Sequence, residues 1–129
     1  MSSYTAPLTI TELGGRRWRI ERDFTFYSEG LYNITITVPS GFVTDGASVP
    51  RVFWSLLPQW GKYSRAAVIH DFLLDQISPT VSDTSYRYQR KLADKIFLEA
   101  MKVSKVNIAT RNILYYSARI FGIWKSLVR

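Results

Sequence analysis

One stretch of the chain, GFVTDGASVPR at residues 41–51, gathers side chains that could act together in catalysis. Asp45 supplies a carboxylate, Ser48 a hydroxyl, and Arg51 a guanidinium that could hold an anionic group on a substrate. The same residue types are typical of a turn followed by a helix start, because Asp-Gly pairs favour turns, Ser caps helices and Pro opens them. A turn that leads into a helix is therefore enough to explain why these residue types occur here.

The chain has one histidine, His70. Helical spacing places it on the same face as Ala66 and Leu73, so its ring should point inward. A buried imidazole needs a partner for at least one nitrogen. His70 is therefore either a core histidine bonded to a carbonyl or an acid, or a general base or metal ligand held by a carboxylate. A Ser-His-Asp arrangement with Ser48 is conceivable, supported by residue type only.

Acidic residues near His70 could bind a metal. Asp71 follows it directly, and Asp75 lies four residues further on, so these two carboxylates share a helix surface. Such a pair suits a hard cation such as Mg²⁺ or Mn²⁺, although Asp75 is explained more simply as a solvated acid. The predicted metal set consists of Asp45, His70, Asp71 and Asp94.

Asp94 lies in KLADKIFLEA, at the border of the apolar face of its predicted helix. It could form an ion pair with Arg90 or Lys91. It could also reach the helix of His70 as a third acid or a binding residue. The spacing alone does not decide between these two interpretations.

The elements that must position these residues follow from the periodicity. Apolar and polar residues alternate within residues 8–10, 16–27 and 32–38, with a short addition at 42–43, and this pattern predicts strands. The short links between them favour antiparallel pairing.

After Pro50 the period changes to that of helices, predicted at about 51–57, 64–77, 86–104 and 107–125. For the helix at 64–77 the expected core face is Ala66, Leu73, Leu74 and Ile77. For the last helix it is Ala109, Ile113, Tyr116, Ile120 and Trp124. An order of strands first and helices afterwards is typical of an α+β fold. We predict one domain over residues 1–129, with an antiparallel β-meander in 1–45 packed against about three α-helices in 50–125.

Composition excludes several classes of protein. The chain has 129 residues and no cysteine, so disulfides, zinc-thiolate sites and cysteine nucleophiles are ruled out. No apolar run approaches the roughly 20 residues of a membrane span, and the N-terminus lacks the pattern of a signal peptide. The sequence predicts a soluble cytoplasmic protein.

The net charge of +7 comes entirely from residues 61–129, which hold twelve Lys or Arg and five Asp or Glu. The basic helix face consists of Arg87, Lys91, Lys95 and Lys102. No nucleic-acid-binding motif accompanies it, so we do not expect nucleic acid to be a partner.

Three blocks, FVTDGASVPR, GKYSRAAVIHDFLL and KLADKIFLEAM, resemble the DUF1353 family, a domain of unknown function found mainly in bacteriophages and prophages. Arg119, Phe121 and Gly122 also fit the usual ending of that family. The resemblance implies a phage or prophage origin and supplies no reaction. It further implies one polar centre, either catalytic or a buried hydrogen-bond network that fixes the junction between strands and helices. Its members would be Asp45, Ser48, His70, Asp71 and Asp94.

Two hypotheses follow. The first is a small phage-encoded, hydrolase-like enzyme with His70 as the base, whose acids bind a divalent metal or share proton transfer. The second is a non-enzymatic virion or assembly protein, near the tail or the head–tail junction, that binds other phage proteins. Both place the chain in the host cytoplasm or the virion. The enzyme requires His70 and the acids to converge in an accessible cleft, whereas the virion protein requires a large apolar contact surface.

Overall fold

The computed structural model describes residues 2–4, 7–15, 17–29, 33–44 and 61–129. The candidate residues Asp45, Ser48 and Arg51 lie outside this part of the chain, as does the helix predicted over 51–57.

The N-terminal half forms antiparallel strands in two three-stranded sheets. The strands are β1 (Ser3–Tyr4), β2 (Ile10–Gly14), β3 (Arg17–Ile20), β4 (Phe24–Ser28), β5 (Ile34–Val38) and β6 (Val43–Thr44). One sheet has the order β1-β4-β5 and the other β2-β3-β6. The antiparallel pairing and the α+β class are as predicted.

The strand predicted over 16–27 is divided between the two sheets. Ile20 and Phe24 are fully buried, but Arg22 between them is exposed, so the alternation is broken there. Asp23 accepts a hydrogen bond from the backbone N–H of Ser40 at 2.9 Å. The chain leaves the second sheet, β2-β3-β6, at β3 and enters the first, β1-β4-β5, at β4.

Three long helices follow: α1 (Ser64–Asp75), α2 (Asp83–Val103) and α3 (Ile108–Leu127). Ser82 caps α2 by accepting from the N–H of Ser85, and Asn107 caps α3 by accepting from the N–H of Thr110. Short polar side chains at these positions satisfy backbone donors that the first turn leaves unpaired. The predicted positions of these helices are confirmed to within a few residues at each end. None of the helices described is long and apolar enough to span a membrane.

The core lies between the sheet of β4 and β5 and the helices. The buried strand residues Phe24, Phe26, Ile36 and Val38 alternate along their strands. They belong to one cluster with buried residues of α1 and α2, among them Ile69, Ile96, Ala100 and Met101. α2 packs against both α1 and α3 and so holds a central position.

Helix α1 is buried differently from the prediction. Only Ala66 of its expected core face is fully buried, and Leu73, Leu74 and Ile77 are half-buried. Instead, the four consecutive residues 66–69 are buried, which requires neighbours on several sides of the helix. A period of 3.6 residues describes a helix with one covered face, so it fails for a helix enclosed at one end.

The predicted core face of α3 is wrong except at Ile113, which is half-buried and packs against the core. Tyr116 is 59% exposed, Ile120 68% and Trp124 54%, and Ala109 is exposed as well. The buried positions are Leu114, Gly122 and Ser126 on the other side of the helix. That side presents Leu114 and two small residues to the interior, and Arg119 bonds to Asp94 on α2. The solvent-facing side, formed by Tyr116, Ile120, Ile123, Trp124 and Leu127, is called the outer α3 face below.

Arg129 fastens the C-terminal end of α3 to the start of α2. Its guanidinium donates to the carbonyl oxygens of Pro79, Val81 and Ser82 and to the carboxylate of Asp83, at 2.9–3.2 Å. It also lies 4.5 Å from the ring centroid of Tyr86.

Candidate functional site

A single buried carboxylate, that of Asp94 on α2, joins the three helices. Its Oδ1 lies 2.6 Å from Nε2 of His70 on α1, and its Oδ2 accepts from Nη1 of Arg119 on α3 at 2.9 Å. Arg90, one turn earlier on α2, has its Nε 3.5 Å from Oδ1. The Asp94 side chain is completely buried. These four residues are called the Asp94 centre.

The charges of this centre favour an ionised carboxylate. Burial alone favours the protonated acid, but the hydrogen bond and charge of His70, with the guanidiniums of Arg90 and Arg119, hold the pKa of Asp94 below its ordinary value. An ionised carboxylate only accepts hydrogen bonds, so Nε2 of His70 carries the proton and donates it. The centre is a buried ion with its partners in place.

His70 is fixed by a second contact. Its ring stacks on Phe97 of α2, with the ring centroids 4.5 Å apart and the planes 21° from parallel. The side chain is 12% exposed. The prediction that the ring points inward is confirmed, and the acid that it meets is Asp94.

The side chain of Arg90 occupies space left by a glycine of α3. Its side chain is 7% exposed, and a Cβ built at Gly122 would lie 2.8 Å from its Cγ and Nε. Nη2 of Arg90 donates to the carbonyl of Ala118 at 3.1 Å, and its guanidinium lies 5.7 Å from the ring centroid of Phe121. Glycine at 122 therefore makes room for the arginine that accompanies Asp94.

Asp71 belongs to a separate contact. The buried hydroxyl of Thr44, at the end of β6, donates to its Oδ2 at 2.6 Å. This bond ties the second sheet to α1, one residue along the chain from His70. Asp75 is exposed, as expected for a solvated acid.

The described residues do not fit a divalent metal at Asp94. No group of three His, Asp or Glu side chains that could hold an ion is found within the described ranges. Both oxygens of Asp94 accept hydrogen bonds, and two guanidiniums within 3.5 Å would repel a further cation. Of the predicted metal set, the structure brings His70 and Asp94 together, places Asp71 in a bond with Thr44, and leaves Asp45 outside the described residues.

The sequence analysis missed the roles of several residues. Arg119 and Gly122 appeared only as part of a family ending, and Thr44 only as part of a turn. Arg90 was considered as an ion-pair partner, and its i,i+4 spacing to Asp94 is the local signal that could be read. The contact of Arg119 with Asp94 spans 25 residues of sequence and has no such signal.

Comparisons with known proteins give one family and no assigned activity. A family model described as "Protein of unknown function (DUF1353)" matches residues 18–118. The chain is also similar to "Uncharacterized protein y4jT" of Sinorhizobium fredii (strain NBRC 101917 / NGR234), with 38% identity over 69 residues. That match covers 52% of this chain and 20% of the relative, so the chain aligns with about a fifth of the relative's length. No solved structure matches the chain significantly.

Proposed function

Because the chain belongs to the DUF1353 family, proteins of unknown function, we propose from its own geometry that it is a non-enzymatic assembly protein, encoded by a bacteriophage or prophage. In this proposal the polar centre is structural and the outer α3 face makes the contacts. The phage or prophage origin rests on the resemblance of the three sequence blocks.

The outer α3 face is the observation that carries the proposal. Its five large apolar side chains are each more than half exposed, and none of the five positions is charged. Contiguous apolar surface of this kind on a protein typically marks a contact with another molecule. A virion or assembly protein requires such a surface, whereas a hydrolase does not.

The Asp94 centre supports a structural role for the polar residues. Its carboxylate is fully buried and is shared by the three helices. Two guanidiniums already balance its charge, and His70 completes its hydrogen bonds. A buried polar network whose carboxylate has hydrogen bonds on both oxygens favours one arrangement of the surrounding elements.

The composition of phage particles tests the proposal. Particles from cells that carry the gene should contain the wild-type chain at a fixed copy number, measured by quantitative mass spectrometry. Ile120→Asp places a charge in the outer α3 face and should reduce incorporation at least tenfold. Tyr88→Asp is the matched control, because Tyr88 on α2 is as exposed as Ile120, at 69% against 68%. Absence of the wild-type chain from particles, or normal incorporation of Ile120→Asp, would show that the proposal is wrong.

A hydrolase-like enzyme is the second candidate, favoured by the contact between His70 and Asp94. A buried carboxylate 2.6 Å from one imidazole nitrogen fixes the tautomer and the orientation of the ring, as in enzymes that use histidine as a general base. In that case His70 would be the base and Asp94 its positioning residue. Asp71 follows His70 directly in the chain. Asp45, Ser48 and Arg51, which lie outside the described residues, would complete the site.

Metal content and thermal stability distinguish the assembly protein from the metal-dependent form of the enzyme. Wild type and His70→Ala should be compared by elemental analysis and by melting temperature with Mg²⁺, Mn²⁺ and Zn²⁺. Under the assembly proposal, His70→Ala lowers the melting temperature and none of the ions raises that of wild type. A stoichiometric metal, or a metal-dependent rise that is lost in His70→Ala, would instead support the metal enzyme and justify a search for its substrate.

A further inference from the structure

The apolar residues of α3 recur at the spacing of a helix–helix seam. Ile113, Tyr116, Ile120, Ile123 and Leu127 follow one another at intervals of three, four, three and four residues. Intervals that alternate in this way keep apolar side chains on one stripe, which is the pattern of helices that pack along their length. The last four of these residues are more than half exposed, so α1 and α2 do not supply the partner helix.

The charged residues of α3 do not belong to this stripe. Arg119 bonds to Asp94, Arg111 is half-buried, and Lys125 lies 5.9 Å from the ring centroid of Phe121. A second molecule with the same charge of +7 can therefore approach the stripe without placing like charges inside the seam. A membrane-binding helix differs in this respect, since its polar face is rich in cations that remain available to lipid.

The area of the face is sufficient for a stable dimer. The five residues of the outer α3 face together expose roughly 600 Å². This sum multiplies each exposed fraction by about 200 Å² for a fully exposed large side chain. Stable interfaces bury about 600–1,000 Å² on each partner. Phe121 and Val128, at 50% and 55% exposed, extend the apolar surface at its edge.

Four apolar positions on α3 are also placed symmetrically about Ile120. Tyr116 and Trp124 each lie four residues from it, and Ile113 and Leu127 each lie seven. In an antiparallel pair with its two-fold axis at Ile120, the tyrosine of one copy faces the tryptophan of the other. At the ends, the exposed part of Ile113, which is half-buried in its own chain, faces the leucine of the other copy. A two-fold interface requires a self-complementary patch of this kind.

We propose that a second copy of this chain covers the outer α3 face, with the two α3 helices antiparallel and crossing at Ile120. This inference rests on the proposed function, since it names the partner for the contact surface of the assembly protein. The dimer is the building unit that enters the assembly.

Sedimentation equilibrium of the purified chain tests the inference. Wild type and Tyr88→Asp should have twice the 14.9 kDa mass of one chain at micromolar concentration. Ile120→Asp should raise the dissociation constant at least tenfold, because each copy would bring a carboxylate to the axis. Circular dichroism verifies that each variant is folded.

Disulfide cross-linking tests the orientation, because the chain has no cysteine of its own. Ile120→Cys should give a covalent dimer on oxidation, since the two thiols meet at the axis. Tyr116→Cys should not, because its two copies lie about 12 Å apart along antiparallel helices, beyond the reach of a disulfide. Cross-linking of Tyr116→Cys alone would overturn the antiparallel arrangement.

A wild-type chain that is monomeric at about 100 µM, or an Ile120→Asp variant that dimerises normally, would overturn the inference. Binding of the monomer to vesicles of phosphatidylglycerol and phosphatidylcholine, weakened by Ile120→Asp, would overturn it in favour of a lipid surface. The proposed function fails separately. If the chain forms a dimer that Ile120→Asp breaks, but the chain is never found in particles, the dimer is supported and the assembly role is rejected. If the chain is a monomer and its incorporation into particles requires Ile120, the assembly role is supported and the dimer is rejected.

Discussion

Asp94→Asn is expected to lower the free energy of unfolding by about 3–5 kcal/mol, the range observed when one partner of a buried ion pair is removed. The amide keeps the shape of the side chain but loses its charge. Arg90 and Arg119 would then lie beside a buried neutral group, and His70 would lose its ionic acceptor. Urea denaturation monitored by circular dichroism measures the change.

Asp75→Asn is the matched control for this substitution. It makes the same chemical change at an exposed position of α1 and should alter the unfolding free energy by no more than about 0.5 kcal/mol. If Asp94→Asn cost no more than the control, the Asp94 centre would not be the element that holds the three helices together.

The stabilities of wild type and Asp94→Asn should depend differently on pH. The pKa of Asp94 in the folded state lies below its ordinary value of 3.8, so the unfolded chain takes up the proton first on acidification. The stability contributed by Asp94 is therefore complete above its ordinary pKa and is lost as the pH falls through the lower folded value. The difference in unfolding free energy between wild type and Asp94→Asn should shrink as the pH falls below about 4. A difference that grew on acidification would contradict the sign of the pKa shift.

Gly122→Ala is the second substitution with a large expected effect. A methyl group at this position would lie 2.8 Å from two atoms of Arg90, whose side chain is 7% exposed and bonded at its far end to Ala118. The arginine must shift away from Asp94 to relieve the overlap. We expect a loss of about 1–3 kcal/mol in the free energy of unfolding, the usual cost of overpacking. Chemical denaturation is again the measurement.

A double-mutant cycle separates overlap from any general effect at this position. Arg90→Ala removes the atoms that a Cβ at 122 would meet. In the Arg90→Ala background, Gly122→Ala should become stabilising by about 0.5–1 kcal/mol, because alanine favours helices more than glycine does. Equal losses in both backgrounds would show that the cost arises from something other than Arg90.

The fold was predictable where local pattern determines structure. Alternation in residues 34–38 and the 3.6-residue period around Ile96 and Ala100 are properties of short segments, and both elements formed as predicted. The crossing between sheets at Arg22 was not predicted, because its position depends on which strands pair. A break in the alternation was visible there, but its meaning required the second sheet.

The outer α3 face shows a different limit. Periodicity correctly identifies the apolar stripe through Tyr116 and Ile120, but it cannot say which molecule covers that stripe. The buried side of α3 was selected by long-range contacts, since Arg119 reaches Asp94 and Gly122 admits Arg90. The pairing of His70 with Asp94 was among the predicted alternatives for the same residues, whereas its completion by Arg119 was not.

The position of Asp94 between two helices has a consequence for how the protein opens. If α1 detached, the carboxylate would lose His70, and if α3 detached, it would lose Arg119. Either event would leave a charge inside the protein without its full set of partners, which adds a cost of about 3–5 kcal/mol to partial opening. The three helices should therefore open as one cooperative unit rather than fraying one at a time. Backbone amides in the middle of α1 and α3, although far apart in sequence, would then exchange their hydrogens through the same rare event.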